Sequence, residues 1–176
     1  FGENYLQEAL PKIEALRGLE LTWHYIGQIQ TNKTRVIAEQ FSWVHTVDRI
    51  KVLERLSAQR PFHAPPLEIC LQVKLAPEEG KGGVAPDAVL ELAQAARALP
   101  RLQLRGLMCL PPPETDFARQ KHWFDLVTAL AGSLRGAGLT LDTLSMGMSD
   151  DLEAAIASGS TMVRIGTAIF GPRPAA

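Results

Sequence analysis

Thr143-Leu-Ser-Met-Gly-Met-Ser-Asp-Asp-Leu-Glu-Ala-Ala-Ile-Ala-Ser158 passes from an apolar run, through a glycine turn, into a helical pattern. An apolar run with no polar face is how a strand covered on both sides reads, and such strands belong to parallel sheets. The same unit recurs along the chain. Runs of this kind stand at Leu21–Ile26, Trp43–Val47, Leu67–Leu75, Leu102–Leu110, Thr143–Met148 and Met162–Ile169. Helical patterns alternate with them at Asn4–Arg17, Asn32–Phe41, Arg49–Gln59, Pro86–Leu99, Thr115–Arg135 and Asp150–Ser158, and a stub, Phe1-Gly2-Glu3, leads into the first. The punctuation agrees: Pro65-Pro66 precede a strand, Pro86 opens a helix, and Gly136 and Gly138 follow one. Strict alternation predicts an α/β fold on a parallel sheet.

An open doubly wound sheet and a closed (β/α)8 barrel both fit that alternation. No G-x-G-x-x-G fingerprint follows the first run, which counts against a nucleotide-binding open sheet. Polar residues instead sit at the carboxyl end of nearly every run: His24 and Gly27, His45 and Asp48, Lys74, Ser145 and Ser149, then Arg164, Gly166 and Thr167. Many strands each lending a polar group to one rim is how a barrel builds its site. The reading is therefore a TIM barrel, with residues 1–176 forming a single domain. A barrel needs eight strands, and six runs plus the Phe1-Gly2-Glu3 stub are present, so about one and a half units, the first strand and helix among them, are expected upstream of Phe1.

Composition narrows the function classes. The 176 residues are 46% hydrophobic and 21% charged, ordinary globular usage, with 18 basic against 19 acidic side chains and a net charge of −1. That balance offers no electrostatic footprint for nucleic acid or an anionic membrane. No run approaches the roughly 20 apolar residues of a membrane span. Cys70 and Cys109 lie inside apolar runs and read as buried thiols of a reducing compartment, so a cytoplasmic location is expected. Four histidines at 24, 45, 63 and 122 form no pair at ligand spacing, which disfavours zinc. A serine-hydrolase elbow is missing too.

Two adjacent loops carry most of the candidate chemistry. Gly147 permits a tight turn, and Ser149 then offers a hydroxyl and an amide. After the last run, Gly166 and Thr167 offer two more amides and another hydroxyl. Together they would make an anion cradle, placed where barrels most often hold phosphate. The alternative is a helix cap built on Ser149 or on an Asp150–Glu153 capping box. Arg164 interrupts an apolar run, so it either forms a structural salt bridge or presents a cation to a ligand. His24 is either a satisfied core imidazole or part of the site.

These residues resemble one family. Phe1-Gly-Glu-Asn-Tyr5 with Gln7-Glu8, the His24-to-Lys33 segment, Gly106-Leu-Met108, the Ser145-to-Asp151 block and Val163-to-Gly171 are similar to the pyridoxal phosphate homeostasis proteins. Lys81-Gly-Gly83 also matches a family loop. That family shares the barrel of the alanine racemase N-terminal domain, and the likeness covers essentially the whole chain. The resemblance implies a pyridoxal 5'-phosphate site in which Ser149, Gly166, Thr167 and the Met148 amide hold the phosphate and Arg164 faces the pyridine nitrogen. Asn4 would lie beside the ring or its hydroxyl, with Ile26 and Met148 packed near it. An arginine at the nitrogen leaves it unprotonated and weakens the ring as an electron sink.

In the family the lysine that binds the cofactor covalently lies on the first strand. Nothing here matches that segment, and it is expected upstream of Phe1; Lys12, Lys33, Lys51, Lys74, Lys81 and Lys121 are not read as replacements, Lys74 at a strand end being the nearest to a stand-in but read as an ordinary loop lysine. The resemblance implies a monomeric, or weakly dimeric, cytoplasmic cofactor binder that supports vitamin B6 and amino-acid balance. Its small-molecule partner is the cofactor, and it does without nucleic acid or membrane. An amino-acid racemase is the alternative, but it would need a second acid/base, and Tyr5 and Tyr25 are the only tyrosines. A barrel that binds some other phosphorylated metabolite is the third class.

Overall fold

The computed structural model describes residues 1–77 and 82–171. Six strands form one sheet: β1 (Gly2–Glu3), β2 (His24–Tyr25), β3 (Trp43–Val47), β4 (Leu67–Val73), β5 (Leu102–Cys109) and β6 (Thr143–Ser145). Helices follow them as α1 (Leu6–Ala15), α2 (Thr34–Gln40), α3 (Ile50–Gln59), α4 (Val89–Ala98), α5 (Phe117–Gly136), α6 (Leu152–Ala157) and α7 (Thr167–Phe170). All pairings are parallel, and the spatial order is the chain order, β1 to β6. A doubly wound sheet reverses direction at a switch point; this one never does, which is the barrel's winding.

The sheet also curls. β3 and β6 stand three strand spacings apart, about 14 Å across a flat sheet. Yet His45 Nδ1 lies 2.8 Å from Ser145 Oγ. Two side chains that short can meet only across a concave face, so His45 and Ser145 point into the lumen. Helices cover the sheet. α3 buries Val52, Leu53 and Leu56, α4 buries Leu92, Ala93 and Ala96, and α5 buries Phe124, Val127, Ala131 and Leu134, each set at helical spacing. They join Val44, Ile69, Leu71 and Leu107 of the strands in one apolar cluster. Each fully buried Leu or Phe side chain contributes about 1.5–3 kcal/mol by leaving water.

Two expected elements differ. Within the stub Phe1-Gly2-Glu3, Gly2–Glu3 is itself a strand, with Gly2 in register with His24. The run Met162–Ile169 is not a strand along its length. Met162 makes a single parallel bridge to Ser145, and the chain then turns at Gly166 into α7, where the amides of Ile169 and Phe170 both donate to the Gly166 carbonyl. Apolar content misleads there because the side chains are not covered: Ile169 is 68% and Phe170 73% exposed. The long helix α5 opens at Asp116, whose carboxylate accepts from the Arg119 amide at 2.9 Å. Cys70 and Cys109 are free and buried, their thiols pushed up to about 12 chiefly by burial, so they are inert. No helix among the described residues is long and apolar enough to cross a membrane.

Candidate functional site

Asn4 and Ile26 follow β1 and β2, adjacent strands that run in parallel. The Ile26 amide donates to the Glu3 carbonyl at 3.0 Å. Gly27 then lies flat against Asn4: a Cβ there would stand 1.9 Å from the Asn4 carbonyl oxygen. Only glycine admits that approach, and it fixes where Asn4 sits on the rim. Thr46 of β3 caps the turn by donating its hydroxyl to the Gly27 carbonyl at 2.6 Å.

Across the lumen, the loop after β6 and the loop after Met162 are tied together. The Arg164 amide donates to the Gly147 carbonyl at 2.9 Å, and Ser160 Oγ donates to the Met146 carbonyl at 2.6 Å. Gly147 has φ +97°, and a Cβ on it would meet the Cβ of Ala155 at 2.5 Å, so it supplies both the turn and the close seat of α6. Met148 and Ser149 follow this tie on one loop, and Gly166 and Thr167 follow it on the other. Among the described residues, the amides of Ser149, Gly166 and Thr167 and the hydroxyls of Ser149 and Thr167 have no hydrogen-bond partner. These amides and hydroxyls are what an anion would bind.

One expected donor is already engaged. The Met148 amide donates to Asp151 Oδ1 at 2.6 Å, so a carboxylate stands where the phosphate was expected to take that N–H. The Asp150–Glu153 capping box does not form, and Asp151, the residue before α6, makes no side-chain cap.

Arg164 makes neither a plain salt bridge nor a free surface charge. Its Nη1 donates to the Ser145 carbonyl at 2.7 Å and to Ser145 Oγ at 2.9 Å, and its Nη2 donates to the Cys109 carbonyl at 3.0 Å. The guanidinium is thus locked to the ends of β5 and β6 by three oxygens. Its Nε–H and the second Nη2 hydrogen are not engaged among the described residues, which leaves a fixed cation with donors to spare. Burial is the main influence on its pKa and pulls it down, while Cys109 and Asp151 act the other way.

Ser145 Oγ also continues inward. His45 Nδ1 lies 2.8 Å from it, and His45 Nε2 lies 2.9 Å from His24 Nδ1. His24 stacks on Trp43, with ring centroids 5.3 Å apart. Burial is the main cause that lowers His24 to about 4 and His45 to about 3, with the Arg164 charge a lesser contributor at His45. Both imidazoles are therefore neutral at physiological pH. His24 is a satisfied imidazole, as one of the two sequence readings had it, but its partner was not foreseen. His45 and Ser145 lie 100 residues apart in the sequence, and only their shared place at strand ends hinted at a meeting.

The lysines divide plainly. Lys12 pairs with Glu3 at 2.8 Å and Lys121 with Asp125 at 2.8 Å. Lys74 follows β4 and lines a cavity of about 10 Å³, too small for a ligand. Lys81 lies outside the described residues. No cluster of metal-ligating side chains forms among those described. Chemically, the loose amides and hydroxyls are donors that an anion could use, and Arg164 is a fixed cation with N–H groups left for an acceptor.

The family model described as alanine racemase, N-terminal domain, matches residues 1–174. A pyridoxal phosphate homeostasis protein of Pseudomonas aeruginosa is 57% identical over 173 residues, covering 98% of this chain and 74% of the relative. PipY of Synechococcus elongatus superposes with a TM-score of 0.90 without PLP and 0.89 with PLP bound. It is 38% identical, and the match covers 97% of this chain and 81% of PipY.

Proposed function

The chain belongs to the alanine racemase N-terminal domain family, and from that premise we propose that it binds pyridoxal 5'-phosphate at the rim and serves in its homeostasis. The observation that carries this reading is Arg164: a cation fastened by Ser145 and Cys109, beside unpartnered loop amides. In this reading Ser149, Gly166 and Thr167 hold the phosphate, and Arg164 directs an N–H at the pyridine nitrogen. Asn4, Ile26 and Met148 flank the ring. When bound, the cofactor supplies a reactive aldehyde and an electron-withdrawing ring.

The chain's own groups favour holding that cofactor over turning substrate with it. A guanidinium cannot give up its proton, so the ring nitrogen facing it stays bare and the ring is a poor electron sink. Tyr25, one candidate for a racemase's second acid/base, is buried and spends its hydroxyl on the Gln28 carbonyl at 3.2 Å. The working assembly in this reading is a cytoplasmic monomer with no nucleic-acid partner. The expected result of titrating the protein with pyridoxal phosphate, in competition with a simple sugar phosphate, is saturable binding with a changed cofactor absorbance. Equal binding of the sugar phosphate would sink the reading in favour of a general phosphate site.

A further inference from the structure

We propose that His45 is a positioning residue: through the Ser145 hydroxyl it fixes the aim of Arg164, so that a buried chain running His24–His45–Ser145–Arg164 orients the cation that meets the bound ring. The last clause rests on the pyridoxal phosphate reading; the aim of the guanidinium does not. The contacts are continuous, at 2.9 Å from His24 Nδ1 to His45 Nε2, 2.8 Å from His45 Nδ1 to Ser145 Oγ and 2.9 Å from Arg164 Nη1 to Ser145 Oγ.

Donor and acceptor capacity gives the chain a direction. Arginine can only donate, so Ser145 Oγ accepts from it. If His45 carried its proton on Nδ1, the Ser145 oxygen would accept twice. Its own O–H would then have no acceptor among the described residues, buried as it is. A buried hydroxyl without an acceptor is costly. With the proton on Nε2 instead, the Ser145 hydroxyl and both His45 nitrogens are satisfied. The Ser145 O–H donates to His45 Nδ1, and His45 Nε2–H donates to His24 Nδ1. The hydroxyl rotor is pinned, and with it one of the three oxygens that hold Arg164. Both imidazoles are kept neutral by burial, so no second cation competes with the guanidinium.

The geometry also explains why this control comes from inside. The other two oxygens on Arg164 are backbone carbonyls, of Ser145 and Cys109, set by the sheet itself. Of the three, the hydroxyl is the one that can rotate, and among the described residues His45 is the acceptor for its proton. A structural role alone would predict lost stability and nothing more. A positioning role predicts a change in the guanidinium.

The test uses the full chain and nitrogen-15 NMR without cofactor, followed by cofactor titration. Both histidines should appear as the Nε2–H form, and rotation of the Arg164 guanidinium should be slow enough to resolve its Nη hydrogens. His45→Ala should speed that rotation at least about 10-fold and broaden the signals together. His45→Asn, whose amide oxygen takes the place of Nδ1, should restore them. Ser145→Ala, a smaller change that deletes only the hydroxyl, should match His45→Ala. An Nδ1–H form of His45, or a guanidinium indifferent to His45→Ala and Ser145→Ala, would overturn the proposal.

With pyridoxal phosphate, His45→Ala should weaken binding about 10-fold and move the bound absorbance in the direction that Arg164→Ala moves it. An absorbance that answers to Arg164→Ala but not to His45→Ala overturns the positioning role and leaves the function standing. Failure of the unaltered protein to bind pyridoxal phosphate overturns the function, while the cofactor-free spectra still decide the aim of Arg164.

Discussion

Gly27 lies so close to Asn4 that a methyl group on it would stand 1.9 Å from the Asn4 carbonyl oxygen. The contact joins the ends of two strands that share only two residue pairs, Gly2 with His24 and Glu3 with Tyr25. With so short a ladder, the glycine contact carries much of the register at this edge of the rim.

Gly27→Ala is accordingly expected to push β1 from β2, cost about 2–3 kcal/mol as overpacking does, and displace Asn4. Urea unfolding reads the first effect and cofactor affinity the second. Gly132→Ala is the control. It sits in α5 with nothing within 4 Å of a new Cβ, and should gain up to about 1 kcal/mol from helix propensity.

Arg164→Ala removes a charge and leaves the Ser145 and Cys109 carbonyls without their donor. Weaker cofactor binding and a shifted absorbance are expected, together with a stability loss of about 1–3 kcal/mol from the orphaned oxygens. An unchanged spectrum on bound pyridoxal phosphate would count against Arg164 at the ring nitrogen.

Ser149→Ala and Thr167→Ala should each weaken cofactor retention by about 3- to 10-fold, the worth of one hydrogen bond, with the bound spectrum unmoved. Asp151→Asn is expected to act oppositely. Its carboxylate holds the Met148 amide at 2.6 Å beside the cradle, so losing the charge should tighten phosphate binding a few-fold. Equilibrium titration of the three variants separates these effects.

Acid should destabilise the fold through its imidazoles. His24 and His45 titrate at about 4 and about 3 when folded, below the 6.5 of an unconstrained histidine. The unfolded chain therefore takes up protons first, so stability present above pH 6.5 is lost as the pH falls from about 6.5 towards 3. His45 alone gives a slope of about 1.4 kcal/mol per pH unit across most of that window. His24, less deeply buried, adds a smaller part. Chemical denaturation at several pH values should show the slope, and His45→Gln should reduce it.

The winding of the sheet was legible because every covered strand left an apolar run and every turn left glycine, proline or a polar strand end. The cradle residues were legible for a related reason: Gly147 and Gly166 mark turns, and Ser149 and Thr167 follow them. Ile169 misled, since its hydrophobicity records composition and not cover. The bond from the Met148 amide to Asp151 was hidden because Asp150, Asp151 and Glu153 all offer carboxylates near one helix start, and sequence cannot choose among rotamers. The link from His45 to Ser145 was beyond reach for another reason. It depends on how tightly the sheet curls, a property of the whole ladder that no local run of residues encodes.

That link acts as a tie-rod across the lumen. Spanning the gap between β3 and β6, it stays at hydrogen-bonding length only while the sheet between them keeps its curvature. Flattening the wall at β4 or β5, for instance by truncating buried Leu71 or Leu107, would lengthen the rod before any rim residue moved. The aperture of the site is thus gauged from the middle of the barrel, and ligand grip and wall shape should fail together.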